Sequence, residues 1–405
     1  MSCGVSEEGG ILLQMKSFLA VLAWWRPIVG TTYFLLSLLA VFPAPAYPFF
    51  LAAVGVTEWG HFFAVLCLTL LLPGWERVRF GWVGAILGAM AFMLSLSPLL
   101  RAFLVAARLE GDLAAAFGDV KAREVQGAPA RRQPLILRDL LFGVVSSPVS
   151  RTTQVFAEPS GVKLEMDLYH PDGPAPHPVV LVVHGGSWRS GNRGEPGALN
   201  RYLAAHGYLV ASVDYRFAPQ FRFPAAAEDV GAAVAWLKAN AASLGADASR
   251  IVLMGRSAGG HLALLQAYSA RDPAVRGVVA FYAPNDLKFA WDNPSNPLVL
   301  DTPAVLGDFL GGSPAQAPEA YARSSALALV GPQSPPTLLL HGGRDEMVWV
   351  RQSERLAAKL GENGVRRYVL RLPWATHGFD YNFSGPGGQL STYAVERFLA
   401  AVTKP

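Results

Sequence analysis

Apolar residues dominate the first hundred positions of the chain, and shorter apolar runs separated by polar loops follow them. Residues 17–100 carry only five charged side chains, which are Arg26, Glu58, Glu76, Arg77 and Arg79. The apolar stretches cover residues 28–42, 49–72 and 82–100. Glu58 interrupts the second, so only the last approaches an unbroken run of the roughly 20 residues that cross a bilayer unaided. We therefore predict an all-α membrane domain over residues 1–105, with two to four transmembrane spans and a preference for three.

Aromatic and basic residues around these stretches suggest how the domain lies in the bilayer. Tryptophans are found near the ends of the stretches, as interfacial anchors tend to be: Trp24, Trp25, Trp59, Trp75 and Trp82. Lys16 and Arg26 precede the first stretch, and Arg77 and Arg79 lie between the second and third, which favours a cytoplasmic position for both. Three spans would put the rest of the chain on the non-cytoplasmic side, whereas four would reverse that. An apolar helical cap of a soluble protein is the alternative.

Residues 106–150 form a transition, with arginines and lysines among alanines and apolar positions. We interpret them as an amphipathic helix and linker, either lying on the membrane or connecting the domains in solvent. The net charge of +4 is divided evenly between residues 1–150 and residues 151–405, with no concentrated basic patch of the kind that binds nucleic acid. The two cysteines do not distinguish an oxidising from a reducing compartment.

From about residue 151 the pattern changes to short, fully apolar runs that alternate with helix-like segments. The runs at 179–183, 250–254, 337–340 and 368–372 predict buried strands. Such alternation predicts an α/β domain over residues 151–405, built on a mostly parallel sheet flanked by helices. Functional groups of such domains gather at the carboxyl ends of the strands, so the residues that follow each run are the first candidates for chemistry.

The run at 250–254 leads into Gly255-Arg256-Ser257-Ala258-Gly259, and a helix-like stretch follows from about His261. A strand, a tight turn with a serine at its apex and a helix are the parts of a nucleophile elbow. Glycines relieve the crowding around the strained turn, so that the serine hydroxyl stands free. By itself, G-x-S-x-G also occurs as an ordinary turn of small residues at the start of a helix.

Partners for the serine follow the other runs in the order that such a fold requires. His184-Gly185-Gly186 follows the run at 179–183, Asp345 follows 337–340, and His377 follows 368–372. Ser257, Asp345 and His377 therefore form a predicted catalytic triad in the chain order of the α/β fold, with Glu346 as a competitor for the acidic position. The triad predicts a serine hydrolase that requires no metal or organic cofactor.

Residues 152–400 resemble the α/β-hydrolase fold, specifically its hormone-sensitive-lipase-like and related carboxylesterase branch. The resemblance is carried by the segments 184–188, 214–219, 223–230 and 255–260 and by those around Asp345 and His377. Residues 161–169 are also similar to feruloyl-esterase-like, kynurenine-formamidase-like and prenylcysteine-methylesterase-like proteins. The resemblance implies that the backbone N–H groups of Gly185, Gly186 and Ala258 receive the oxyanion.

For several other residues, the sequence predicts a structural role or a role in substrate binding. We expect His184 to buttress the oxyanion loop, His261 to pack behind Ser257, and Asp214 to pair with Arg216. An excursion rich in Pro, Gly and aromatic residues, between Pro284 and Val330, is expected to cover the substrate pocket. The residues assigned to that pocket are Trp188, Phe217, Asp286 and Trp291.

The sequence thus predicts a membrane-anchored serine carboxylesterase or lipase that acts on small-molecule or lipid esters. The same triad supports amide or formamide hydrolysis, peptide hydrolysis or acyl transfer when the pocket and its access to water differ. A membrane sensor or scaffold that keeps the fold without turnover is a third class, against which the intact triad argues. Acyl-chain length, leaving group and oligomeric state are left open by the sequence.

Overall fold

The computed structural model describes residues 25–73, 76, 80–119, 130–144, 148–195 and 197–404. Two compact units make up the chain, Met1–Arg101 and Ala102–Pro405, and the division falls inside one long helix. Five residues on which the anchoring and orientation predictions rest lie outside the described residues, namely Lys16, Trp24, Trp75, Arg77 and Arg79.

The first unit is helical over its described residues. Helix α1 covers residues 25–37, α2 is Tyr47–Glu58, α3 is Gly60–Leu68, and α4, Gly81–Phe117, begins in this unit. Among the described residues, α4 alone is long and apolar enough to cross a membrane, and α2 with α3 passes the same test as one span bent by 79°. The described residues thus hold one or two candidate spans, and the preference for three spans stays a prediction.

Glycines permit the helices of the first unit to approach one another closely. A Cβ on Gly60 would lie 2.3 Å from the Ser95 backbone oxygen, and one on Gly84 would lie 2.7 Å from the Arg26 backbone oxygen. A Cβ on Gly30 would meet the Gly84 backbone oxygen at 2.9 Å. Small residues at helix crossings are the usual means of packing helices in apolar surroundings, where van der Waals contact replaces the hydrophobic effect.

The second unit is built on an eight-stranded sheet in the order β1-β2-β4-β3-β5-β6-β7-β8. Its strands are β1 Ser150–Ala157, β2 Leu164–His170, β3 His177–Val183, β4 Leu209–Val213, β5 Ala246–Arg256, β6 Val275–Phe281, β7 Thr337–Gly342 and β8 Arg367–Leu372. The pairs β1/β2 and β2/β4 are antiparallel, and all the others are parallel. All residues of β3 and β4 are buried, which explains why those runs are continuously apolar.

Helices connect and flank these strands. They are α5 Leu137–Phe142, α6 Gly197–Ala205, α7 Ala225–Ala239, α8 Ala241–Leu244, α9 Ala258–Ala270, α10 Leu287–Asp292, α11 Thr302–Leu310, α12 Pro318–Arg323, α13 Arg351–Glu362 and α14 Pro386–Val402. The predicted α/β class with a mostly parallel sheet is confirmed. The excursion at 284–330 folds as α10, α11 and α12 between β6 and β7.

The segment predicted as an amphipathic helix and linker is tied to the second unit wherever it is described. The end of α4 packs there, because the rings of Phe117 and Phe398 meet at 4.9 Å and the Tyr368 hydroxyl donates to Asp112 at 3.0 Å. Further along, the Ile136 N–H donates to Gln389 Oε1 at 2.8 Å. Contact of this segment with a membrane remains a prediction.

Candidate active site

Ser257 stands alone between the end of β5 and the start of α9, with φ 51° and ψ −122°. The turn around this strained residue is so tight that only glycine, which has no side chain, fits at positions 255 and 259. A Cβ on Gly255 would lie 2.3 Å from the Gly259 oxygen, and one on Gly259 would lie 2.2 Å from the His184 oxygen. The Ser257 N–H donates to the Phe281 oxygen of β6 at 2.9 Å. Ser257 therefore occupies the apex of a turn fixed from both sides, as a nucleophile elbow requires.

His377 and Asp345 meet at the carboxyl ends of β8 and β7. The distance from His377 Nδ1 to Asp345 Oδ2 is 2.7 Å, and Asp345 Oδ1 accepts from the N–H groups of Met347 and Val348 at 2.9 and 2.8 Å. Burial raises the pKa of Asp345, but the opposing effects of His377 and His341 prevail and lower it to about 2. Asp345, rather than Glu346, is thus the ionised partner of the imidazole.

A second histidine supports the same carboxylate, and the sequence reasoning assigned it no role. His341 Nε2 lies 3.3 Å from Asp345 Oδ2 and 2.8 Å from the Val348 oxygen, while its Nδ1 lies 2.7 Å from Ser353 Oγ. The ring is completely buried on β7. Its position in His341-Gly342-Gly343, four residues before Asp345, was a usable signal, because a histidine at the end of a buried strand needs polar partners.

The loop after β3 passes beside the nucleophile. A Cβ on Gly185 would lie 3.4 Å from Ser257 Cβ, and Gly186 has φ 114° with the Ser190 oxygen only 2.0 Å from where its Cβ would be. No backbone hydrogen bond joins the N–H of Gly185 or Gly186 to another described residue. Ala258 is the first residue of α9, so its N–H has no partner within the helix. The three predicted oxyanion donors are thus free of backbone partners in this part of the structure.

Tyr215 and His184 brace this loop from behind. Their rings stack at 4.4 Å, and the Tyr215 hydroxyl donates to the oxygens of His184 and Gly185 at 3.2 and 3.3 Å. Burial lowers the pKa of His184, so its ring is neutral at physiological pH. These contacts fit the buttressing role expected for His184.

The expected pairing of Asp214 with Arg216 is wrong. Arg216 Nε donates to Asp229 of α7 at 2.9 Å, and its backbone N–H donates to the same carboxylate at 2.8 Å. Asp214 instead accepts hydrogen bonds from the backbone and guanidinium of Arg193. The two side chains leave the loop in different directions, and a two-residue spacing in an irregular segment does not determine which partners they meet.

A small apolar cavity opens beside Ser257. The excursion and the segment after Asp345 supply most of its wall, whose apolar members include Leu287, Leu300, Val305, Leu306, Met347, Val348 and Trp349. Polar side chains at the wall are bonded elsewhere, since Gln352 Oε1 accepts from the Asp286 N–H at 3.0 Å and Ser295 Oγ donates to the Met347 oxygen at 2.8 Å. The cavity therefore suits an apolar group.

Of the four residues assigned to the pocket from the sequence, Trp188 lines this cavity and the other three do not. Trp188 is buried and stacks on Phe309 at 4.3 Å. Phe217 packs against His184 and Tyr215, Asp286 caps α10 and pairs with Arg355 at 2.9 Å, and Trp291 meets the edge of Tyr321.

His261 lies behind Trp188 and has a packing role, as expected. Its Nε2 is 2.8 Å from the Ser324 oxygen, and burial lowers its pKa to about 4 despite that hydrogen bond. Within the described residues, no group of three or more His, Cys, Asp or Glu side chains is placed to hold a metal ion.

Comparison with known proteins shows that the chain is similar to proteins named as esterases. Residues 166–360 match the BD-FAE family. The chain is 34% identical over 248 residues to Esterase LipC of Mycobacterium tuberculosis, covering 56% of this chain and 59% of that protein, and 30% identical over 271 residues to Esterase LipQ of the same organism, covering 63% of each. It therefore spans less than two thirds of the length of these relatives.

A solved esterase structure from Pyrobaculum calidifontis superposes with a TM-score of 0.55 and 23% identity, covering 75% of this chain and 98% of that one. At this level of identity the likeness concerns the fold. The second unit thus has the fold of this solved structure, in agreement with the predicted α/β-hydrolase fold.

Proposed function

We propose that the second unit is a carboxylic ester hydrolase in which Ser257 is the nucleophile, His377 the general base and Asp345 the residue that orients the base. The observation that carries the proposal is the hydrogen bond of 2.7 Å between His377 Nδ1 and Asp345 Oδ2, formed at the same sheet edge as the strained Ser257. The relatives named esterases favour ester hydrolysis over the amide and acyl-transfer chemistry that the same triad supports.

The ionised Asp345 accepts a hydrogen bond from the Nδ1–H group of His377, which leaves Nε2 unprotonated and able to accept the Ser257 proton. As that proton moves, Ser257 Oγ bonds to the ester carbonyl carbon, and the carbonyl oxygen takes the negative charge. His377 then returns the proton to the leaving alcohol as the carbon–oxygen bond breaks, which gives an acyl-enzyme. Water then attacks the acyl-enzyme while His377 accepts its proton. His377 passes that proton to Ser257 Oγ as the carboxylic acid is released.

The N–H groups of Gly185, Gly186 and Ala258 are the donors for the developing oxyanion. Removing one such donor from a preorganised site costs about 3–4 kcal/mol of transition-state stabilisation. Tyr215 holds the carbonyl oxygens of the loop away from the substrate, since its hydroxyl binds the oxygens of His184 and Gly185. The apolar cavity beside Ser257 receives the acyl or alcohol group of the ester.

The first unit serves in this proposal as a membrane anchor. Support comes from the length and apolar composition of α4 and from large apolar side chains exposed on the helices, among them Ile28, Leu35, Val65, Trp82 and Met93. Soluble proteins rarely expose so many apolar groups together. With the three spans predicted from the sequence, the catalytic unit lies on the non-cytoplasmic side and acts on esters close to the lipid.

Labelling with a fluorophosphonate probe tests the catalytic proposal, because such probes react only with an activated serine. The full chain in membranes should be labelled and should hydrolyse p-nitrophenyl esters, whereas Ser257→Ala should do neither. Ser243→Ala, which changes an exposed serine on α8, should behave as wild type. Labelling that persists in Ser257→Ala would overturn the assignment.

Extraction tests the anchor separately. The full chain should stay in the membrane fraction at alkaline pH, and an added tag at residue 404 should be cleaved by protease from the non-cytoplasmic side. Release into the soluble fraction would refute the anchor without touching the catalytic proposal.

A further inference from the structure

Beneath the nucleophile elbow lies a buried group of three polar side chains that the mechanism has not used. Arg256 Nε donates to Asp380 Oδ2, and the Tyr282 hydroxyl donates to Asp380 Oδ1, each at 2.5 Å. Arg256, Tyr282 and Asp380 are 2%, 1% and 6% exposed. We call them the elbow network.

The elbow network joins the backbone segments that carry the reaction. Arg256 immediately precedes Ser257, and Tyr282 immediately follows Phe281, whose oxygen accepts the Ser257 N–H. Asp380 comes three residues after His377. The Tyr282 ring also packs directly on the His377 imidazole, with centroids 4.3 Å apart.

Stability alone does not account for such a group. Desolvating an arginine and an aspartate costs several kcal/mol, and a buried ion pair often contributes less to stability than apolar residues of the same size. Arg256 Nη1 also finds no hydrogen-bond partner among the described residues, a further cost of burial. Tyr282 adopts φ 38°, a left-handed conformation that is unfavourable for an aromatic residue. Costs of this kind concentrate at sites where position matters for function.

We infer that the elbow network positions His377 relative to Ser257. This inference rests on the proposed function. Between β8 and α14 the histidine is carried by an irregular segment, in which Gly378 has φ 77°. Asp345 fixes one nitrogen of the ring but not its tilt about that bond. The Tyr282 ring fixes the tilt by contact, and Asp380 holds both Tyr282 and the segment that carries His377.

Tyr282→Phe is the cleanest perturbation, because it keeps the ring contact with His377 and removes only the hydroxyl that Asp380 holds. We expect kcat to fall five- to twenty-fold with KM within twofold of wild type, since misplacement of a catalytic group affects the transition state more than ground-state binding. Tyr268→Phe is the matched control: Tyr268 is equally buried on α9, and its hydroxyl bonds Thr337 Oγ1 at 2.8 Å. It should lose comparable stability but no more than twofold in kcat.

Asp380→Asn should lower kcat ten- to a hundred-fold, and the double variant with Tyr282→Phe should be no slower than Asp380→Asn alone, because the Tyr282 hydroxyl acts through Asp380. If the fold losses of kcat in the two single variants multiply in the double variant, the positioning role of the elbow network is refuted. A normal kcat in Tyr282→Phe would refute it as well. If Asp380→Asn does not fold, the two tyrosine variants still decide. Fluorophosphonate labelling lost in Ser257→Ala together with a normal Tyr282→Phe would refute only the positioning role, whereas labelling retained in Ser257→Ala would refute the hydrolase itself.

Discussion

Replacing Asp345 with asparagine changes the hydrogen bond that orients the His377 imidazole and keeps the shape of the site. The new side chain occupies the same space, and its oxygen can still accept from the N–H groups of Met347 and Val348, which lie 2.9 and 2.8 Å from Asp345 Oδ1. Its NH₂ group then faces His377 Nδ1 and His341 Nε2, which were bonded to Oδ2. An amide NH₂ donates and cannot accept, so His377 must present a lone pair at Nδ1 and a proton at Nε2.

In that tautomer His377 has no acceptor for the Ser257 proton. The loss of a correctly held base of this kind lowers kcat by about 10⁴, which corresponds to about 5.5 kcal/mol of activation free energy. We expect Asp345→Asn to reduce the hydrolysis of a p-nitrophenyl ester by 10³- to 10⁴-fold while thermal unfolding shows a folded protein. Glu346→Gln, at the neighbouring position, should stay within threefold of wild type. Activity of Asp345→Asn within tenfold of wild type, or the reverse ranking of the two variants, would refute the reasoning.

Two further substitutions test the geometry and the pH dependence. Gly186→Ala should abolish most esterase activity, because its Cβ would lie 2.0 Å from the Ser190 oxygen. Gly161→Ala is the control, since Gly161 also has a positive φ but lies in open space. It should lower the free energy of unfolding in denaturant by only about 1 kcal/mol and leave the activity unchanged. His261 is held neutral with a pKa of about 4, below the 6.5 of an unfolded histidine, so its contribution to stability is complete above pH 6.5 and is lost as pH falls toward 4. Wild type should lose about 3 kcal/mol across that range relative to His261→Gln, as measured by urea unfolding, and parallel curves would contradict this.

The sheet of the second unit was predictable because its strands are short, apolar and regularly spaced. The run at 179–183 lies within β3, His177–Val183, and the run at 250–254 within β5, Ala246–Arg256. Both strands are covered on two faces, so burial leaves a continuous apolar signal. The antiparallel edge strand β1, Ser150–Ala157, was not predicted, since most of its residues are exposed and it pairs through the backbone, which sequence pattern does not reveal.

The first unit shows the limit of the same reasoning. The apolar stretch at 49–72 was interpreted as one segment, but α2 and α3 meet at 79° near Trp59 and Gly60. Gly60 allows the close approach to Ser95 that accompanies the bend. The hydrophobicity of a stretch indicates which residues are removed from water, but it does not indicate where a helix ends or bends.

At the site, the positions of the proposed catalytic residues were predictable and those of the residues that line the pocket were not, for a physical reason. Ser257, Asp345 and His377 each follow a strand directly, so the parallel sheet itself brings them to one edge, whatever the loops do. Asp286 and Trp291 lie in an excursion whose path depends on helix packing, and Asp286 is drawn away to cap α10 and to pair with Arg355. Met347, Val348 and Trp349 reach the cavity because Asp345 binds the first two through their N–H groups. The Asp345 carboxylate therefore contacts both the proposed base and the backbone of the pocket wall. Asp345→Ala, which removes the oxygen that binds the Met347 and Val348 N–H groups, should alter ester selectivity as well as rate, whereas Asp345→Asn should alter the rate alone.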